Sequence, residues 1–246
     1  MPESESRRLT WFGTYSKDTV KNLEALERGM AKHLQRDLDQ LAKDLLTMGA
    51  VVEDATNKAI NALVRRNKAL AQEVASGDSA IDDRENQIEE NALKILALHQ
   101  PVAADLRFII TAVKVNNDLE RIGDHAVSIA ERAENLATMD PVPLPDEFHK
   151  LVEVVLHMMR DSMNALVERD AQLARSVCMV DDEVDRIHRF MYSAMQDVMR
   201  KDPAYIEPAI NTISATRHME RIADLATNIA EDVVFMVEGE ILRHNY

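Results

Sequence analysis

An all-α protein made of two tandem, related three-helix bundles is what this sequence predicts, and three observations carry the prediction. The 246 residues include 6 Gly and 7 Pro and are 4% aromatic. That mixture, dominated by Ala, Leu, Ile, Val, Met, Glu and Arg, favours helix and leaves little from which to build sheet. Apolar residues return at steps of three and four over most of the chain, the period of a helix with one buried face. The chain also repeats itself: "NALVRRNKALAQEV" from Asn61 is matched 103 residues later by "NALVERDAQLARSV" from Asn164, and "LERIGDHAVSIAE" from Leu119 is matched 100 residues later by "MERIADLATNIAE" from Met219. The shrinking offset is read as a short insertion, "SGDS" (Ser76 to Ser79), in the first copy. So long a period marks a duplicated helical unit and not a solenoid of short repeats.

Residues 1–30 are polar and patternless apart from Trp11, Phe12 and Tyr15, and read as an N-terminal extension. From His33 the pattern is continuous through Leu34, Leu38, Leu41, Leu45, Met48, Val52, Ala55 and Ala59, predicting a helix to about Arg66. A shorter piece follows to Ser76, ended by Gly77 beside Asp78 as an N-cap. Helix resumes from about Ser79 to His99, where "HQP" stops it, because the residue before a proline resists the α region. Pro101 then suits the first turn of a helix to about Ala137. These elements make a first bundle over 31–138. Pro141, Pro143 and Pro145 mark 139–146 as a stiff linker, and the second bundle, 147–240, repeats the first, with "RKDP" (Arg200 to Pro203) answering "HQP". The seams agree: Val115, Leu119, Ile122, Ala126, Ile129 and Ala133 have the same spacing as Ala215, Met219, Ile222, Ala226, Ile229 and Val233, a pattern that packs antiparallel helices at shallow angles.

Composition narrows the function. A formal net charge of -14 argues against nucleic acid, whose phosphates are bound through Lys and Arg, and leaves carboxylates available for hard cations. One cysteine, Cys178, excludes an internal disulfide or a thiolate-rich zinc site and reads as a small buried residue. No run of 18 apolar residues exists to span a membrane. Arg7-Arg8 is followed by "TYSKDTVKN" and not by the apolar stretch of an export signal. A cytoplasmic location is expected.

The doubled motif is where chemistry would lie. At about 100° per residue, Glu120 and Asp124 sit within roughly 40° of each other on one helix face, away from the apolar seam, as do Glu220 and Asp224. Ser128 and Asn228 extend those faces by a turn. On the preceding long helix of each half, Asp181, Asp185 and His188 share one face, and Asp82, Asn86 and Glu89 occupy what read as the matching positions. Where such helices lie side by side, the acids would crowd and resist joint ionisation, which favours a cation between them; otherwise they are solvated acids paired with Arg121 and Arg221. His125 and His218 read as surface histidines, since immediate neighbours in a helix point elsewhere. Neither a glycine-rich phosphate loop nor a supported Ser/His/Asp arrangement is present.

"QPVAADLRFIITAVKVNNDLERIGDHAVSIAERA" (Gln100 to Ala133) resembles the PhoU family of phosphate-specific transport accessory proteins, and "ERIADLATNIAE" of the second half does so more weakly. The resemblance covers about residues 33 to 240. It implies two three-helix bundles and metal held on the bundle surface by Glu/Asp-x-x-x-Asp pairs. These fall on Glu120 with Asp124 and Glu220 with Asp224, their partners being Asp82 with Glu89 and Asp181 with Asp185. Divalent or trivalent ions are implied, iron or zinc first, then manganese or magnesium. Asn86 in place of an acid, and Ala223 in place of Gly123, depart from the pattern. The role implied is a regulatory, non-enzymatic adaptor of phosphate homeostasis. It would restrain the phosphate-starvation response and modulate high-affinity phosphate import, peripheral to membrane complexes. The partners implied are a sensor histidine kinase and the phosphate importer's ATPase subunit, with a homodimer left open. A carboxylate-bridged hydrolase of phosphate esters and a metal-free helical scaffold are the alternatives.

Overall fold

The computed structural model describes residues 17–239, and within them every regular element is helical. Eight α-helices follow one another: α1 (Lys17–Arg65), α2 (Lys68–Gly77), α3 (Ser79–His99), α4 (Ala103–Ala137), α5 (Asp146–Glu168), α6 (Ala171–Cys178), α7 (Asp181–Lys201) and α8 (Ile206–Glu238), with a 3-10 turn at Pro203–Tyr205. α2 and α3 act together as one arm, as do α6 and α7, so each half is a bundle of three arms. Among the described residues no helix is long and apolar enough to cross a membrane.

The apolar faces read from the sequence form the core. Leu41, Leu45, Met48, Val52 and Ala59 of α1 are buried, and so are all twelve seam positions of α4 and α8. Cys178 is buried as well. Each half turns from its first helix in the same way. Arg66 and Arg169, 103 residues apart, adopt a left-handed backbone at φ 53°, and the next residue caps the following helix. The Asn67 side chain accepts from the Leu70 amide, and that of Asp170 from the Gln172 and Leu173 amides, which satisfies N–H groups that a helix start leaves orphaned.

Three boundaries differ from the sequence reading. α1 starts at Lys17 and not at His33, so half of the expected extension is helix; Trp11, Phe12 and Tyr15 lie outside the described residues. Asp78 is not an N-cap: its backbone is helical, at φ -57° and ψ -49°, with no side-chain cap bond, and its carbonyl accepts from the Ile81 and Asp82 amides. The backbone bonding runs on through "SGDS", which is no insertion. Ile81, Ile88, Ala92 and Ile95 and their counterparts Val184, Met191, Met195 and Val198 are all buried at an unchanged offset of 103; the three residues are lost later, in the turn before α8. Pro101 precedes α4 by two residues, and α3 ends at His99, capped by Gln100, left-handed at φ 47°. The proline stretch lies between α4 and α5 and is held against both bundles. The Arg66 guanidinium donates to the Met139 carbonyl, Val142 packs on the core, and Phe148, just beyond, is 1% exposed.

The halves meet chiefly along α4 and α8, the most extensive helix pairing of the molecule. Arg107 Nε donates to the Met236 carbonyl at 3.3 Å, the Thr111 hydroxyl to the Asp232 carbonyl at 3.3 Å, and Asn135 Nδ2 to Asn211 Oδ1 at 3.4 Å. Early residues of one helix thus meet late residues of the other, so the helices run antiparallel. With the repeats 100 residues apart, such pairing implies an approximate two-fold axis through the middle of the seam, close to Arg121 and Arg221.

Gly123 records how the copies have diverged. A Cβ there would lie 3.0 Å from Ile81 Cδ1 and 3.3 Å from its Cγ2, tight contacts with a β-branched side chain that has few rotamers to retreat to. The equivalent positions are Ala223 and the smaller Val184. Gly123→Ala is expected to destabilise by about 1 kcal/mol, overpacking outweighing the helix-propensity gain. Adding Ile81→Val should recover most of it. A double-mutant cycle by urea unfolding reads the coupling, and strict additivity would refute the packing account.

Candidate functional site

In the second half, Glu220 and Asp224 of α8 face Asp181 and Asp185 of α7. Burial pushes the Asp181 carboxyl above the usual carboxylate range, Asp224 adds to this, and a 3.2 Å hydrogen bond from the Thr227 hydroxyl opposes it. Glu220 is raised by burial, with Arg221 opposing and Asp185 and Asp181 adding. Asp224 is raised by burial and by Glu220, against the Arg221 guanidinium, which donates to it at 2.9 Å. These four acids therefore feel one another across the α7–α8 groove. Two buried atoms in this region lack any hydrogen-bond partner, Glu220 Oε2 and His188 Nδ1. Asp185 acts on His188, countering the burial that lowers its proton affinity.

The first half repeats the arrangement in a register that differs from the one expected. Glu120 is raised by burial and then by Asp124, Glu85, Asp82 and Asp78. Asp78 is raised by burial, Asp82 and Asp124. At the offset of 103, Asp78 answers Asp181, Asp82 answers Asp185, and Glu85 answers His188. Glu89 acts on Glu85 and not on Glu120, and so stands a step outside the cluster. Asn86 does not replace an acid: its amide donates to the Asp82 carbonyl of its own helix at 2.8 Å. The signal for Asp78 and Glu85 was in the sequence, in the offset carried unchanged through "SGDS".

The donors fit a hard or borderline cation by chemistry: oxygen ligands of like charge crowded on one groove, partly buried in the second half, with a carboxylate oxygen that lacks a hydrogen bond among them. Among the described residues, however, no group of three or more His, Cys, Asp or Glu side chains stands in coordinating geometry. Asp224 is held instead by Arg221, and Asp181 by Thr227.

His125 and His218 are not surface histidines. They are half-buried and meet across the seam, Nδ1 to Nδ1 at 3.3 Å, with ring centroids 5.4 Å apart. The antiparallel crossing brings together side chains that the local helical period cannot relate. Burial lowers the proton affinity of both, and nearby arginines lower it further: Arg121 and Arg221 at His125, Arg132 and Arg217 at His218. Beside the pair, an open pocket of about 340 Å³ lies between the halves, lined by Arg121, His125, Asp181, Arg221, Asp224 and Thr227, with Leu225 and Asn228.

Comparison with known proteins bears on both halves. The PhoU domain model matches residues 45–133 and again 148–233. The phosphate-specific transport system accessory protein PhoU homolog of Pseudomonas putida is 38% identical over 224 residues, 91% of this chain and 88% of that protein. Its namesake from Pseudomonas aeruginosa is also 38% identical, over 91% of this chain and 93% of its own length. The crystal structure of PhoU from Pseudomonas aeruginosa superposes with a TM-score of 0.80 over 84% of this chain and 99% of that one. That of the phosphate transport system regulatory protein PhoU from Streptococcus pneumoniae, 28% identical, gives 0.79 over 85% and 99%.

Proposed function

This chain belongs to the PhoU domain family, and from that premise we propose that it is a non-enzymatic accessory protein of phosphate transport, binding cations on its two carboxylate faces and restraining the phosphate-starvation response through protein contacts. The observation that carries the metal reading is Glu220 Oε2, buried among three further acids and without a hydrogen bond, its guanidinium neighbour Arg221 standing 3.7 Å away. In the second half Glu220, Asp224, Asp181 and Asp185 would hold the cation; in the first, Glu120, Asp124, Asp78 and Asp82, with Glu89 peripheral. When bound, iron, zinc, manganese or magnesium supplies the positive charge that these crowded carboxylates otherwise lack. Arg221 and Thr227, each bonded to one oxygen of Asp224 and Asp181, would leave the other oxygen of each carboxylate for the cation and fix its orientation.

Metal analysis of protein purified without chelator tests the site. Glu220→Gln/Asp224→Asn and Glu120→Gln/Asp124→Asn are each expected to lose the metal of their own half, roughly half the total, and the combined variant nearly all of it. Metal content unchanged in the combined variant overturns the assignment. The regulatory reading is tested by pull-down of a sensor histidine kinase and of a phosphate importer's ATPase subunit from the same cell; contact with neither sinks it. Metal-dependent turnover of phosphate esters by the wild type, lost in the combined variant, would put a hydrolase in its place.

A further inference from the structure

The duplicated Glu-Arg-Ile motif contributes an arginine as well as an acid, and the fold does something with it that carboxylate chemistry does not use. Because α4 and α8 cross antiparallel near the middle of the repeat, the two copies of this arginine, Arg121 and Arg221, line one and the same pocket. One comes from α4 and the other from α8, and the His125 ring lines the same pocket with them. Each is about half exposed and held by acids of its own helix: Arg121 to Asp118 at a loose 3.5 Å, Arg221 to Asp224 at 2.9 Å and to Glu220 at 3.7 Å. Thr227 and Asn228 add neutral polar groups to the wall, and the pocket is open to solvent with room for a small polyatomic ion.

We propose that this seam pocket is an oxyanion site that takes inorganic phosphate, clamped between Arg121 of one half and Arg221 of the other. Guanidinium forks match the paired oxygens of phosphate, and two of them on one pocket can grip a single ion from both halves. The site needs no cation and goes beyond the metal reading. Two lining carboxylates oppose it: Asp181 by its charge, and Asp224 also because the phosphate must take Arg221 from it. Binding is therefore modest in the wild type and tightens when Asp224 loses its charge, the opposite of what the metal reading expects of the same substitution. A phosphate held by both arginines ties α4 to α8, so its occupancy bears on how firmly the halves are joined.

Calorimetric titration of inorganic phosphate into the chelator-treated full chain tests this. Saturable binding is expected, weakened roughly tenfold by Arg121→Gln and by Arg221→Gln, and strengthened by Asp224→Asn. Wild-type protein supplies a readout that no variant can confound: the imidazole proton resonances of His125 and His218 should shift with phosphate along the same isotherm. Absence of saturable binding, unshifted His125 and His218 resonances, or equal affinity in the Arg121→Gln/Arg221→Gln chain overturns the proposal. So does phosphate binding that appears only with added metal and is lost in Asp224→Asn. Binding of a phosphoserine peptide, but not of inorganic phosphate, through these arginines would overturn the free-ion form of the site.

Discussion

Asp118→Asn is expected to make the metal-free protein more stable at pH 7, by about 2 kcal/mol. Asp118 lies on α4 at the seam, 8% exposed, and its carboxyl is pushed from the usual 3.8 up to about 6. Burial is the main cause. Arg121 and Lys114 ease the shift, while Asp232, across the seam, adds to it. An acid whose folded pKa lies above its unfolded value contributes stability below the unfolded value and loses it as pH rises through the folded one. The wild type should therefore lose stability from about pH 3.8 to about 6 on account of this group, and the variant should not. Asparagine keeps the shape and can still accept from Arg121. Urea unfolding of both proteins in chelator, across that window, reads the difference. The gain should shrink toward zero at the acid end, and equal stability at pH 7 would mean that Asp118 carries its charge there without cost.

Phe148→Ala is expected to cost about 3–5 kcal/mol, by loss of transfer energy and by the cavity left behind. Phe148 is among the largest fully buried side chains and lies in the first turn of α5. With Leu63 of α1, Leu136 of α4, Leu144 of the linker and Thr212 of α8 it lines one recess. It therefore pins the linker and both bundles at one point, where a cavity cannot collapse without moving several elements. The melting temperature should fall by roughly 10 °C, whereas Phe148→Leu should lose less than half as much. A drop of a degree or two in the alanine variant would show that the linker repacks.

The fold was legible because its signals are local and repeated. Steps of three and four placed the long helices, and the two seams buried every position they named. The start of α1 was missed, although Val20, Leu23, Leu26 and Met30 continue the helical step upstream of Leu34, because acidic and basic residues crowd between them. "SGDS" misled for a physical reason: glycine and serine suit a turn, but helical dihedrals are also open to them, and tertiary packing of Ile81 decided between the two. The acids of α4 and α8 could be named from spacing alone. Their partners on α3 needed the register of the repeat, which the supposed insertion shifted by four residues. That brought Glu89 in and left Asp78 and Glu85 out. His125 against His218 was beyond reach, since the contact spans 93 residues and depends on which way two helices cross.

A half-turn about the seam carries Asp118 onto His218 and Asp232 onto Arg132. Where Asp118 and Asp232 lie within electrostatic reach of each other, the opposite end has His218 and Arg132 in the same relation. The backbone is thus nearly indifferent to the rotation, and the charge is not: one end of the seam has two acids with Lys114 beside them, the other Arg132 and Arg217 beside His218. A partner that approached this face by shape alone would find two poses of equal fit. That difference makes them unequal in energy, so an almost symmetric molecule can be gripped in one orientation.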